Sequence, residues 1–189
     1  VPCDATFCVR AVDDALMVLE AVDAKSLPEG VSLHEEQVPS GPLAVRPVRH
    51  FLRFSADGAA RTALESELVK RFGGALPSGY QLLFVRGPAG TVRTLIGGPG
   101  LLNASHLASV KLDQDEFGGG FRLALALSDE GKRLLTAATT TLEQRRIVIV
   151  AGGEARSMPL VLEPITGGML SIAIKDKLEA EAVHKALKR

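Results

Sequence analysis

LALALSDEGKRLL (residues 123–135), RRIVIVAGGEA (145–155) and LEPITGG (162–168) follow one another in the second half of the chain. A fainter version precedes them: HFLRFSADGAARTAL (50–64), YQLLFVRGPAG (80–90) and TLIGGPG (94–100). Ser55 and Gly58 correspond to Ser128 and Gly131, Val85 and Gly87 to Val150 and Gly152, and Gly97-Gly98 to Gly167-Gly168. The lead-ins also agree, with Ala24, Leu27, Val31 and Leu33 matching Ala104, Leu107, Val110 and Leu112. The offset between the copies shrinks along the chain, so loops differ while elements persist. This pattern predicts two tandem copies of one supersecondary unit. The expected organisation is an N-terminal segment (1–23), a first, divergent repeat (24–102) and a second repeat (103–189).

Hydrophobic patterning fills in the elements. Val9, Val12, Leu16 and Leu19 stand at helical spacing, which predicts an amphipathic helix over 9–23 or a strand leading into one. Val31 and Leu33 alternate with polar neighbours as a short strand, and Pro39 to Pro47 reads as a punctuated linker. His50–Phe54 predicts a strand, with Ser55 as N-cap of a helix that carries Leu64, Leu68 and Phe72 on one face. Gly73-Gly74 is expected to end that helix in the left-handed conformation. Tyr80–Arg86 and Val92–Ile96 follow as strands, and Gly97-Gly98-Pro99-Gly100 reads as a turn.

The second copy repeats the plan. Ser109–Gln114 and Arg122–Leu127 are strands around the turn Gly118-Gly119-Gly120, and Ser128 caps a helix bearing Leu134, Leu135, Ala138 and Leu142. Arg146–Ala151, dense in β-branched residues, predicts a strand buried on both faces. Gly152-Gly153 turns it into a hairpin with Ala155–Leu162. Met169–Ile174 is the last strand, and Asp176 opens a closing helix over 178–187 with a basic C-terminal end. The expected fold class is therefore α+β: two tandem βαββ-type repeats with mixed sheets and helices packed on one face.

Composition narrows the function. The 22 basic and 22 acidic side chains balance, so no electrostatic footprint for nucleic acid is present. No uninterrupted apolar run reaches bilayer-spanning length. The chain opens on Val1, so a removed signal peptide or an artificial boundary is expected upstream. The two cysteines, Cys3 and Cys8, fit a small disulfide loop made in an oxidising compartment, the alternative being two free terminal thiols. Neither a second cysteine pair nor a nearby His completes a metal tetrahedron, so no metal and no cofactor are expected.

Candidate chemical sites weigh against catalysis. The glycine-rich stretches fit neither nucleotide-binding pattern, and turns account for them. His34, His50, His106 and His184 are scattered without i, i+4 partners. Ser55 and Ser128 lack a nucleophile elbow and read as helix caps. Asp113, Asp115 and Glu116 form an acidic loop without the ligand order of a calcium site.

The second half further resembles the head subdomain of the first periplasmic domain of SecD, of the SecDF family. The resemblance rests on Leu127-Ser128, Glu130-Gly131, the hairpin Ile149–Gly153, the loop Pro164-Ile165-Thr166-Gly167-Gly168 and the closing Glu/Ala-rich helix, within about 101–187. Ala151 stands where that family usually has aspartate before the hairpin glycine. The resemblance implies a non-catalytic, extracytoplasmic module (periplasmic, secreted or lipid-anchored) that contacts a polypeptide or envelope protein, in export or envelope assembly. It does not extend to the family's membrane carboxylates and energy coupling. Gly97, Gly98, Pro99, Pro164, Gly167 and Gly168 are the expected binding residues, framing a groove or exposed sheet edge. The alternative is a small-ligand-binding protein or enzyme that uses the glycine-rich loops.

Overall fold

The computed structural model describes residues 2–3, 6–38, 47–115 and 119–188. Residues 39–46 of the expected linker Pro39–Pro47, with Glu116 and Gly118, lie outside the described residues. In chain order the elements are β1 (Phe7–Val12), β2 (Ser32–Gln37), β3 (Val48–Ser55), α1 (Gly58–Phe72), β4 (Gln81–Arg86) and β5 (Thr91–Asn103). They continue with β6 (Leu107–Asp115), β7 (Gly120–Leu127), α2 (Asp129–Thr141), β8 (Ile147–Ala151), β9 (Glu154–Ser157), β10 (Met169–Ile174) and α3 (Lys177–Leu187). The architecture is α+β.

The chain divides into two compact units: Val12–Gly98, and a discontinuous one made of Val1–Ala11 with Pro99–Arg189. The first is an inserted unit, and the second holds both described ends of the chain. Strand β1 is therefore part of the same unit as α3, and the boundary between the units falls inside β5.

In the inserted unit, β4, β5, β3 and β2 lie side by side in that order. Since β3 and β4 both run antiparallel to β5, they are parallel to each other and one position apart, joined by α1. Leu52 and Phe54 of β3, Val92 of β5 and Leu82 of β4 bury against Leu68 and Phe72 of α1. Each large apolar side chain so buried contributes about 1.5–3 kcal/mol of transfer free energy. Helix α1 begins at Gly58 (φ 54°) after Asp57, which makes no side-chain capping bond, so Ser55 is the last residue of β3 and not a cap. At the other end Gly73 is right-handed (φ −62°) and the chain tightens into a 3₁₀ turn, Gly73–Ala75, where a left-handed stop was expected.

The predicted helix over 9–23 does not form. Strand β1 occupies Phe7–Val12 and is followed by turns. Asp13 explains the break, because its Oδ1 accepts hydrogen bonds from the backbone N–H groups of Ala15 (2.8 Å) and Leu16 (3.2 Å). A side chain that binds its own backbone this way competes with helix formation.

The discontinuous unit holds a sheet of order β10-β7-β6 and the strands β1, β8 and β9, with β8 between the other two. One core collects Phe7 and Val9, Leu123, Leu125 and Leu127, Ile147 and Ile149, Leu170 and Ile172 from the strands, with Leu135 of α2 and Val183 and Leu187 of α3. All five residues of β8 are buried, as its IVIVA sequence demands. Gly152 (φ 61°) and Gly153 (φ 80°) make the two-residue hairpin turn that only residues tolerant of positive φ form easily. The returning strand β9 is shorter than the expected 155–162, although Leu160 still makes an isolated bridge to Arg146.

Both halves run strand, helix, strand, hairpin strand, but their pairings differ. Helix α1 connects two strands of one sheet, whereas α2 leads from β7, which pairs with β6 and β10, to β8, which pairs with β1 and β9. The shared order of elements does not extend to a shared topology.

Candidate functional site

The six glycine and proline positions expected to bind fall into two settings. Gly97, Gly98 and Pro99 are not in a loop: β5 runs straight through them, Gly97 pairs with Gln81, and Gly97 and Gly98 are buried. A buried, extended backbone offers no anion cradle, so the turn reading of this stretch is corrected. Pro164, Gly167 and Gly168 do lie in the connection that leads into β10. Two threonines of α2 hold this connection: Thr136 Oγ1 donates to the carbonyl of Ile165 (3.0 Å), and Thr139 Oγ1 accepts from its N–H (2.9 Å). The carbonyl of Gly168 (φ 67°) accepts from the N–H of Leu127 at 2.8 Å. Gly97 and Gly98 belong to the inserted unit, and Pro99, Pro164, Gly167 and Gly168 to the discontinuous one.

The other polar candidates have local explanations. Ser128 Oγ accepts from the N–H of Gly131 (3.2 Å) as an N-cap, with Asp129 and Glu130 complementing the helix dipole. Arg133 hydrogen-bonds Glu130 and holds its carboxyl below the usual range. His34 stacks on Phe51 (5.5 Å between centroids), His50 meets Glu35 at 3.0 Å, and Nδ1 of His106 accepts from the N–H of Asn103 (3.1 Å). Asp113 sits opposite Arg122 in the β6–β7 ladder. Cys3 and Cys8 are disulfide-bonded with Cα atoms 5.4 Å apart. Among the described residues, no group of three or more His, Cys, Asp or Glu side chains converges to hold a metal ion, and no helix is long and apolar enough to cross a membrane.

What the fold builds instead is an open sheet edge beside a cleft. Among the described residues, strand β6 has β7 as its one neighbour in its sheet. At its start, the carbonyl of His106 accepts from the N–H of Ser128, so the backbone there faces the β7 side. The ladder then shifts register between Leu107 and Ser109, a bulge that reverses which residues face β7. Beyond it, the carbonyl of Val110 lies 3.3 Å from Nε2 of His184 on α3. This contact puts Val110, Leu112 and Gln114 in the set whose backbone groups turn away from β7.

Alongside lies a cleft of about 350 Å³ lined by Ala104, Leu107, Ala108, Ser109, Val110, Leu187 and Lys188. Ala104, Leu107, Ala108, Val110 and Leu187 contribute apolar side chains, but most of the cleft's surface is polar, and Lys188, at the exposed C-terminal end of α3, is its one cation. The N-terminal end of the same helix is fastened by Asp176, which caps the N–H of Glu179 (2.8 Å), and by Arg156, which bonds Glu179 and the carbonyl of Ala151. An edge strand with outward backbone groups is a template for strand pairing, and an adjoining cleft takes side chains from the added strand. Chemically, this is a site for an extended peptide.

Sequence reasoning found β6 but not its role. Edge position is decided by which strands pair at long range. The nearest local signal was Leu107, Val110 and Leu112, whose alternation breaks at the bulge.

No protein-family model matches the chain. Among curated proteins it is similar to the protein translocase subunit SecD of Treponema pallidum (strain Nichols), with 40% identity over 62 residues, 33% of this chain and 11% of that protein. Among solved structures, one of SecDF in its super-membrane-facing form aligns with a TM-score of 0.46 and 22% identity, over 84% of this chain and 18% of that one. Another, of SecDF described as a membrane component that enhances protein export, gives a TM-score of 0.46 and 17% identity over 96% of this chain and 92% of that one. The chain thus spans only about a tenth of the SecD relative's length.

Proposed function

We propose that this chain is a polypeptide-binding module of protein export, a SecD-like head that works outside the cytoplasm and captures extended segments on the edge of β6. The observation that carries this reading is the outward-turned backbone of Val110, Leu112 and Gln114 beside the cleft. The likeness to a protein translocase subunit supports the export context. Main-chain pairing suits such a task because it is indifferent to sequence. The connection carrying Pro164, Gly167 and Gly168 is proposed as a second contact for the same polypeptide.

The test is photo-crosslinking. A photoreactive residue at exposed Ser109, beside the edge, is expected to capture a reduced, carboxymethylated, permanently unfolded protein. The same group at Glu67 on α1 serves as the control. Equal capture from both positions, or none from Ser109, refutes a specific edge site.

A further inference from the structure

The cleft and the edge share a feature that the binding reading leaves unused. The carbonyl of Val110 faces outward, yet it is not left to solvent. Nε2 of His184 lies 3.3 Å away, and because a carbonyl only accepts, the imidazole N–H is the donor. His184 is half-buried and stands one turn before Leu187 and Lys188, which line the cleft. Helical spacing puts these three side chains on one flank of α3, along which an added strand has to run.

A strand that pairs with β6 must offer a backbone N–H to each outward carbonyl, Val110 included. His184 already occupies one of that carbonyl's two lone pairs, from the flank along which the strand has to run. We infer that His184 is an autoinhibitory gate on the β6 edge: its imidazole satisfies Val110 in the empty protein and has to swing aside before a strand docks over the cleft. This inference rests on the edge-binding reading. It adds a reversible guard against indiscriminate pairing with other chains to the bulge and the exposed Lys111 already on β6. Lysine or proline on the edge achieves this permanently, whereas a histidine donor on a neighbouring helix does so reversibly.

Rotation of His184 leaves the fold intact, because α3 is anchored by Ala180, Val183 and Leu187 in the core and by the Asp176 cap. The experiment measures binding of a fluorescently labelled, reduced and carboxymethylated protein by anisotropy, with thermal melting to count folded molecules. His184→Met keeps the bulk and removes the donor, and His184→Gln keeps a donor. The methionine variant is expected to bind about two- to tenfold more tightly, the scale of one hydrogen bond no longer competed for. The glutamine variant is expected to stay near wild type. Gln114→Pro, which deletes an outward N–H on the same edge, reports on the edge itself and is expected to weaken binding. If Gln114→Pro weakens binding while methionine and glutamine at 184 act alike, the gate is wrong and the edge stands. If Gln114→Pro has no effect, the edge reading fails and takes the gate with it.

Discussion

Gly131 sits so close to His106 that a Cβ on Gly131 would fall 2.6 Å from the His106 carbonyl oxygen and 2.9 Å from its Cβ. Glycine is a poor helix former, yet it stands in the first turn of α2 because the start of β6 passes over it. Gly131→Ala is therefore expected to destabilise by about 1–3 kcal/mol, the overpacking cost outweighing the gain in helix propensity. Gly73→Ala provides the contrast. Its φ is right-handed and an added Cβ would meet only Val69 Cγ1 at 3.5 Å, an ordinary contact. Thermal melting should show a loss for the first variant and none, or a small gain, for the second.

Tyr80 is the chain's one tyrosine, and there is no tryptophan, so its phenol titrates alone in the near ultraviolet. The carboxylate of Asp13 raises the Tyr80 pKa above its ordinary value, with desolvation and a hydrogen bond to the same carboxylate adding to the shift. Since the folded value is raised, the associated stability is present below the unfolded phenol's pKa and fades as pH rises through the folded one. Absorbance titration of Asp13→Asn should move the transition back down. An unchanged midpoint would remove Asp13 as the cause.

Thiol titration without reductant is expected to find no free thiol, and to find two per chain after reduction. Closing so short a loop contributes about 2 kcal/mol in the chain-entropy account. The double variant Cys3→Ser with Cys8→Ser should lose roughly that much, about 4–8 °C in melting temperature at this chain length. Two reactive thiols in the native, unreduced protein would contradict the bridge.

Gly168 combines a positive φ of 67° with Lys132 side-chain atoms 3.2–3.4 Å from where a Cβ would stand. A β-branched residue tolerates that backbone poorly, so Gly168→Val should destabilise by about 1–3 kcal/mol, mostly through strain, since Lys132 is able to move. The contact role proposed for residues 164–168 requires more: binding of unfolded polypeptide must fall even when counted per folded molecule. Binding that tracks the folded fraction leaves this connection a structural role alone.

How much was legible depended on how local the cause was. Ser128 and Asp176 cap helices through bonds to residues three positions on, and Gly152-Gly153 turns a hairpin through its own dihedrals. Those features were readable from the sequence. Ser55 misled because the same serine pattern precedes a helix whose first turn sits two residues further along, after Asp57. The helix expected over 9–23 failed on one side chain, Asp13, whose competing backbone bonds a periodicity count does not register. Gly97-Gly98-Pro99 looked like a turn because glycine and proline usually punctuate, yet here a long strand absorbs them. The edge at β6 and its contact with His184 were invisible, because they arise from where α3 packs on the β10-β7-β6 sheet.

The split ownership of the chain shapes how it comes to be folded. Phe7 pairs with Ala151 and Arg10 with Val148, so β1 precedes the inserted unit in the chain and meets β8 only after that whole unit has been synthesised. During that interval Phe7 and Val9, which end fully buried, have no completed core to enter. The inserted unit closes on contacts within its own span and is ready to fold earlier, and long-range closure is the slow step in such chains. A chain that waits this way leaves a hydrophobic strand without its partner while the inserted unit emerges.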